Sequence, residues 1–138
     1  MGTPVTKHRL HRGCVACGAE NPYGLRLRFF RQDDGSVTAA CPCRKELAGY
    51  DGLLHGGIAA TMLDSAMSNC LFAAGVTALT AEMNLKYRAP VLIGRAAVLK
   101  AWLVSDLCPL YIVKSELAQD GEVKVSAEAK FMRSEGRQ

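Results

Sequence analysis

The chain carries no block of like charge. Its 17 Lys and Arg stand against 13 Asp and Glu for a formal charge of +4, and the basic residues are scattered over strand-like segments and both termini. A nucleic-acid partner is therefore not expected, whereas a mild positive balance suits a small polyanionic ligand. No apolar run follows the basic residues at the start of the chain, so no secretory signal is read there and the cytoplasm is the expected location. An unbroken apolar stretch of bilayer length is also missing. Residues 56–81 come nearest, but Asp64, Ser65, Ser68, Asn69 and several glycines interrupt them, and a central Asp is costly in lipid. Strands and helices do not alternate, which argues against a parallel sheet.

What is present fits one compact domain: 138 residues, 49% of them hydrophobic, can enclose a core. Residues 1–23 read as an arm followed by a Cys-x-x-Cys loop, and residues 24–138 as the single domain. The six cysteines are expected as thiols or metal ligands. Cys14-Val15-Ala16-Cys17-Gly18 resembles half of a zinc site. For the other half, Cys41-Pro42-Cys43 has one intervening residue instead of two, while His8 and His11 continue the three-residue spacing backwards from Cys14. The preferred reading is a turn packed against the sheet, so no cofactor and no metal ligand is assigned. Cys70 and Cys108 read as small core residues.

The stretch from His55 to Asp64 organises the rest. A helix is expected from about His55 to Ala74, ended by Gly75, and it is apolar nearly all round, so most of its sides should be buried. Asp64 is the only charged side chain between Gly56 and Ala81. A carboxylate there needs a hydrogen-bonding partner, a cavity, or a tightly held proton. Thr61 and Ser68, three before and four after it, share its face and could solvate it.

Alternation marks the strands. Leu25, Leu27 and Phe29 point to a half-buried strand that Asp33-Asp34-Gly35 turns into a second one near Ser36 to Cys41. After Gly75, Ala81, Met83, Leu85 and Tyr87 should face one way and Thr80, Glu82, Asn84 and Lys86 the other. Residues 96–105 are apolar on both faces, as in a central strand. Residues 110–117 follow, and after Asp120-Gly121 the alternation from Val123 to Phe131 is the cleanest of all. The order is two strands, one helix and four strands: an α+β fold with an antiparallel sheet of about six strands wrapped around one long central helix.

Gly52-Leu53-Leu54-His55-Gly56-Gly57, Asp64 seven positions after the second glycine, and Glu82-Met83-Asn84-Leu85-Lys86-Tyr87-Arg88-Ala89-Pro90 together resemble the hot-dog-fold acyl-CoA thioesterases of the PaaI-like group. The resemblance covers roughly Cys14 to Met132. It implies a homodimer, often paired into a homotetramer, that hydrolyses acyl-CoA or aryl-CoA thioesters without a metal. It further implies that Asp64 is general base or nucleophile, that the Gly56 amide polarises the thioester carbonyl, that His55 holds that loop, and that Thr80 assists the carboxylate. Some relatives carry Asn where this chain has Gly49. The alternative readings are a hot-dog dehydratase acting on hydroxyacyl thioesters and a non-catalytic acyl-CoA sensor that keeps the same fold and pocket.

The chemistry is consistent with those positions. Thioester hydrolysis develops charge on the carbonyl oxygen, which free amides at a helix N-terminus can receive, and Gly56 and Gly57 let substrate approach the backbone. Asp64 lies about 10 Å of axial rise beyond Gly57, too far for both to act on one carbonyl, so the expected site is shared across a two-fold dimer. His55 falls on the other side of the helix from Asp64 and reads as a cap. Ser68 and Arg88 complete the expected substrate contacts, Arg88 for CoA phosphate. Lys86, Arg95, Lys130 and Arg133 read as ordinary solvated charges.

Overall fold

The computed structural model describes residues 2–133. One helix, α1 (Gly56–Ala73), crosses an antiparallel sheet built from β1 (Thr3–Pro4), β2 (Phe30–Arg31), β3 (Val37–Cys41), β4 (Ala78–Tyr87), β5 (Ala97–Leu107), β6 (Leu110–Gln119) and β7 (Glu122–Arg133). The spatial order is β1-β2-β3-β5-β6-β7-β4. Because α1 joins β3 to β4 at the far edge, it must run across the sheet's face, and β4 is left as a ten-residue edge strand. No helix among the described residues is long and apolar enough to cross a membrane.

The ends of α1 follow from its sequence. His55 has extended backbone, φ −60° and ψ 132°, and its Nδ1 accepts the Gly57 N–H at 2.8 Å, which satisfies one of the unpaired first-turn amides. At the other end Gly75 takes φ +77°, and the Gly75 and Val76 amides return to Phe72 O and Leu71 O at 2.9 and 2.8 Å, a closure that favours glycine.

One face of α1 is dry. Met62, Leu63, Ala66 and Met67 are 0% exposed, against an equally closed layer of Leu99, Ala101, Val113, Leu117 and Phe131. Each large side chain buried there contributes about 2 kcal/mol of transfer free energy. The opposite stripe of Thr61, Asp64, Ser68 and Phe72 is only half-buried. The expectation of a helix covered on most sides thus holds fully for one side only: among the described residues the other is met just by Thr80 at Asp64 and His11 at Phe72.

Several expectations are corrected. The antiparallel sheet around one helix is the fold expected; it counts seven strands among the described residues because the N-terminal arm joins it, Thr3 and Pro4 pairing with Arg31 and Phe30. Leu25, Leu27 and Phe29 are buried as their alternation requires, but ladder pairing begins only at Phe30. Before it, the amides of Leu25 and Leu27 bond to Val15 O and Ala16 O of the Cys-x-x-Cys loop, and Arg26 takes φ +54°. Strand β5 is central but open on its outer face, where Val98 and Val104 are about half exposed. Cys108 is an exposed residue of the β5–β6 turn, whereas Cys70 is buried as expected.

The most consequential correction concerns β4. Its pairing with β7 steps from Thr80↔Phe131 to Glu82↔Lys130, leaving Ala81 as an extra residue. Such a bulge reverses the alternation on the bulged strand. Thr80 therefore faces α1 together with Met83, Leu85 and Tyr87, not away from them.

Candidate active site

The site is built where α1 lies against β4. Thr80 Oγ1 donates to Asp64 Oδ1 at 2.7 Å, so the half-buried carboxylate has a hydroxyl partner and one oxygen remains available. Thr61 is not a second partner: its hydroxyl donates to Gly57 O at 3.0 Å, the common back-bond of a helical threonine. Ser68 lies half-buried one turn beyond Asp64 on the same stripe.

Eight residues earlier the helix opens with exposed Gly56 and Gly57. The peptide between them is held at both ends, by His55 on the Gly57 N–H and by the Tyr87 hydroxyl, which donates to Gly56 O at 2.7 Å. Acceptance at Nδ1 places the His55 proton on Nε2. Among the described residues the Gly56 N–H has no partner. Gly57 has its amide engaged, so what it offers a ligand is the absence of a side chain. His55, assigned to the active site, is found as the cap that orders this turn.

Sequence reasoning missed Tyr87 as a site residue, since an aromatic at a strand end is ordinary; its position seven residues after Thr80 carried no signal without the bulge. Gly49, where some relatives have Asn, is accounted for by His55: a Cβ at Gly49 would sit 3.2 Å from His55 Cα and 3.3 Å from Cδ2, leaving little room for a larger side chain.

A groove of about 360 Å³ at the start of α1 is lined by Gly56, Ala59, Tyr87, Arg88, Pro90 and Val125, among others. It includes Gly56 and the exposed Arg88 but not Asp64. Arg88 has no ion pair among the described residues, unlike Arg95, bonded to Asp120 at 2.9 Å, and Lys130, 3.3 Å from Glu82. A larger concavity of about 470 Å³ on the outer sheet face, beside Trp102 and Lys114, contains neither Asp64 nor the glycines.

On the other flank of Asp64, the His11 ring meets Phe72 edge-on at 4.8 Å. Burial, and then the charge of His8, holds His11 below the ordinary imidazole range, while the Asp64 charge acts in the opposite sense. The N-terminal segment thus reaches the same helix as the carboxylate.

The thioesterase superfamily model matches residues 51–105, which contain the capped glycine turn, Asp64 and Thr80. Acyl-coenzyme A thioesterase THEM4 of Bos taurus is 32% identical over 101 residues, 72% of this chain and 35% of that protein. Residues 51–105 are thioesterase-superfamily sequence, carried on the hot-dog fold. The chain spans about a third of the length of that curated relative. A crystal structure of a thioesterase superfamily protein matches this hot-dog chain with a TM-score of 0.83 and 25% identity, over 88% of this chain and 60% of that one. The E. coli PaaI protein, from the phenylacetic acid degradation operon, has a TM-score of 0.74 at 15% identity, over 81% of this chain and 82% of its own; at that identity the likeness concerns the hot-dog fold alone.

Proposed function

We propose that this chain hydrolyses acyl- or aryl-coenzyme A thioesters as a homodimer with shared sites, Asp64 of one subunit acting on a carbonyl held by Gly56 of the partner subunit. The observation that carries the proposal is the separation of the two halves of the site. Asp64 is paired with Thr80, while the free Gly56 amide opens into a groove that lacks Asp64. Nucleophile and oxyanion donor must converge within about 3 Å of one reacting carbonyl, and eight residues of helix separate them by about 12 Å.

The half-buried Asp64 stripe and the unpaired edge of β4 supply a surface for the second subunit. A long edge strand is normally covered or blunted, and Leu79 and Tyr87 on β4 are more than half exposed in the single chain. A two-fold pairing there yields two equivalent sites.

In the base-catalysed form, Asp64 removes a proton from water as the water oxygen bonds to the thioester carbon. The carbonyl oxygen gains the charge and accepts from the Gly56 amide. Collapse breaks the C–S bond, and the proton passes from Asp64 to the CoA sulfur, releasing free acid and thiol. As nucleophile, Asp64 would instead bond to the carbon directly, the C–S bond would break with the CoA thiolate leaving to take a proton from water, and a water molecule would hydrolyse the resulting anhydride to free acid and the Asp64 carboxylate. Thr80 fixes the carboxylate in both schemes, Ser68 borders it, and Arg88 offers a guanidinium for CoA phosphate at the groove.

Release of free thiol from a panel of acyl- and aryl-CoA thioesters, followed with a thiol reagent, tests the proposal. Turnover on at least one class that disappears in Asp64→Asn supports it. Acyl-CoA binding with no thiol release across the panel would instead identify a non-catalytic sensor, and water loss from a hydroxyacyl-CoA without thiol release a dehydratase.

A further inference from the structure

The lead-in places His11, Cys14 and Cys17 at one spot: their ligating atoms all lie within 4.8 Å of one another, and Cys17 Sγ is 3.8 Å from His11 Nδ1. Tetrahedral zinc, with Zn–S of about 2.3 Å and Zn–N of about 2.0 Å, separates its ligand atoms by roughly 3.5–3.8 Å. The three groups therefore need only a small inward shift to share an ion.

The local backbone is bent into the form such a site uses. Gly18 N–H returns to Cys14 O at 2.9 Å, and the Ala16 amide points at Cys14 Sγ, 3.4 Å away, where it would stabilise a thiolate. A Cβ at Gly18 would lie 2.3 Å from Cys14 N and 2.5 Å from Arg12 O, so glycine is what allows the turn to close. The rest of the loop is anchored in the fold, through Leu25 and Leu27 on one side and the His11–Phe72 contact on the other.

A second, independent observation comes from α1. Ser65 Oγ and Asn69 Oδ1 are buried atoms with no hydrogen-bond partner among the described residues, although their residues are only 5% and 0% exposed. Both side chains border the Cys17 sulfur. The Cys17 thiol is the polar group they face, so two buried oxygens flank the sulfur-nitrogen cluster where a bound cation could use them.

We infer that His11, Cys14 and Cys17 bind one zinc-class divalent ion, completed by an oxygen on the Asn69 side, from the amide or from water. Two thiol protons leave as the thiolates bind. The ion would fasten the N-terminal lead-in to α1 on the flank of Asp64. It takes no part in the proposed hydrolysis, so the two readings stand or fall separately. Cys41 and Cys43, the alternative second half considered from spacing, are not in the cluster: they are buried beside Met62 and Gln119. His8 is also outside it, its Nδ1 accepting from the Leu10 amide.

The test uses the whole chain, reduced, stripped of metal and titrated anaerobically with Co(II) alone. The expected result is a thiolate-to-cobalt charge-transfer band with strong four-coordinate visible bands, saturating near one equivalent and bleached by Zn(II). Cys14→Ser, Cys17→Ser and His11→Ala should each lower Co(II) affinity by more than about a hundredfold, since losing even an outer-shell partner costs 10–100-fold; Cys108→Ser should change nothing. The wild-type titration decides even if a variant fails to fold. Absence of the thiolate band in the reduced wild-type chain overturns the inference, as does a band that survives in the Cys14→Ser/Cys17→Ser double variant. A resting Cys14–Cys17 disulfide that takes up no metal after reduction overturns it equally.

Discussion

The Tyr87 hydroxyl donates to the Gly56 carbonyl at 2.7 Å, so the strand that partners Asp64 through Thr80 also holds the opening turn of α1. Two contacts from one edge strand thereby fix both halves of the candidate site, although the halves serve different carbonyls in the proposed dimer.

Asp64→Asn should keep the fold and the dimer while lowering thioesterase turnover by at least about a hundredfold, the usual scale for a lost general base. Thr80→Val, which removes only the hydroxyl bonded to the carboxylate, should cost about tenfold, chiefly in kcat. Steady-state thiol release gives both values, and near wild-type turnover in Asp64→Asn would remove Asp64 from the mechanism.

Tyr87→Phe leaves the ring beside Gly56 and deletes one hydrogen bond, worth about 1 kcal/mol. Turnover should fall about fivefold, with KM and thermal midpoint little altered. A fall in the midpoint that accounts for the whole loss of activity would make Tyr87 a merely structural contact.

The two glycines should respond differently to alanine. A Cβ at Gly56 meets the Tyr87 ring at 3.6 Å, an ordinary contact, whereas one at Gly57 meets His55 Cε1 at 3.0 Å and Nδ1 at 3.1 Å. Gly56→Ala should therefore be as stable as wild type by thermal unfolding yet poorly active, because the methyl group occupies the substrate's approach. Gly57→Ala should lose stability through its displaced cap, about 1 kcal/mol.

Subunit mixing separates a shared site from one complete in each chain. Asp64→Asn and a Gly56→Val variant, each inactive alone, should regain roughly a quarter of wild-type activity after unfolding and refolding together, because half of the randomly mixed dimers own one intact site. Homodimers re-formed from either variant alone provide the baseline. No recovery in mixtures verified to contain heterodimers would mean that Asp64 and Gly56 act within one chain.

Much of this site could be read from the sequence for definable reasons. A single carboxylate in an apolar helix is conspicuous because burial makes it costly, and a His-Gly-Gly start declares a capped, open helix end. Strand positions were less legible. Alternation placed Thr80 on the wrong face because a bulge depends on what β7 offers opposite Ala81, a long-range property. Residues 25–29 alternated correctly but found their backbone partners in the Cys-x-x-Cys loop, which no local period can reveal. His11 was visible as a spacing from Cys14; the turn that brings it to Cys17 was not. Cys108 misled because a thiol beside a proline reads alike in a core and at a hairpin tip.

The site depends on Ala81 staying outside the ladder in a way that composition does not betray. Thr80 and Tyr87 are an odd number of residues apart, and on a regular strand one of them would always turn its back on α1. Removing Ala81 would close the bulge and leave the two six residues apart on a regular strand, both still facing α1; drawing Ala81 into the regular ladder instead would swing either the Asp64 partner or the Gly56 clamp to the outside of the sheet. In β4 substitutions change side chains, but the bulge sets the frame in which they are read.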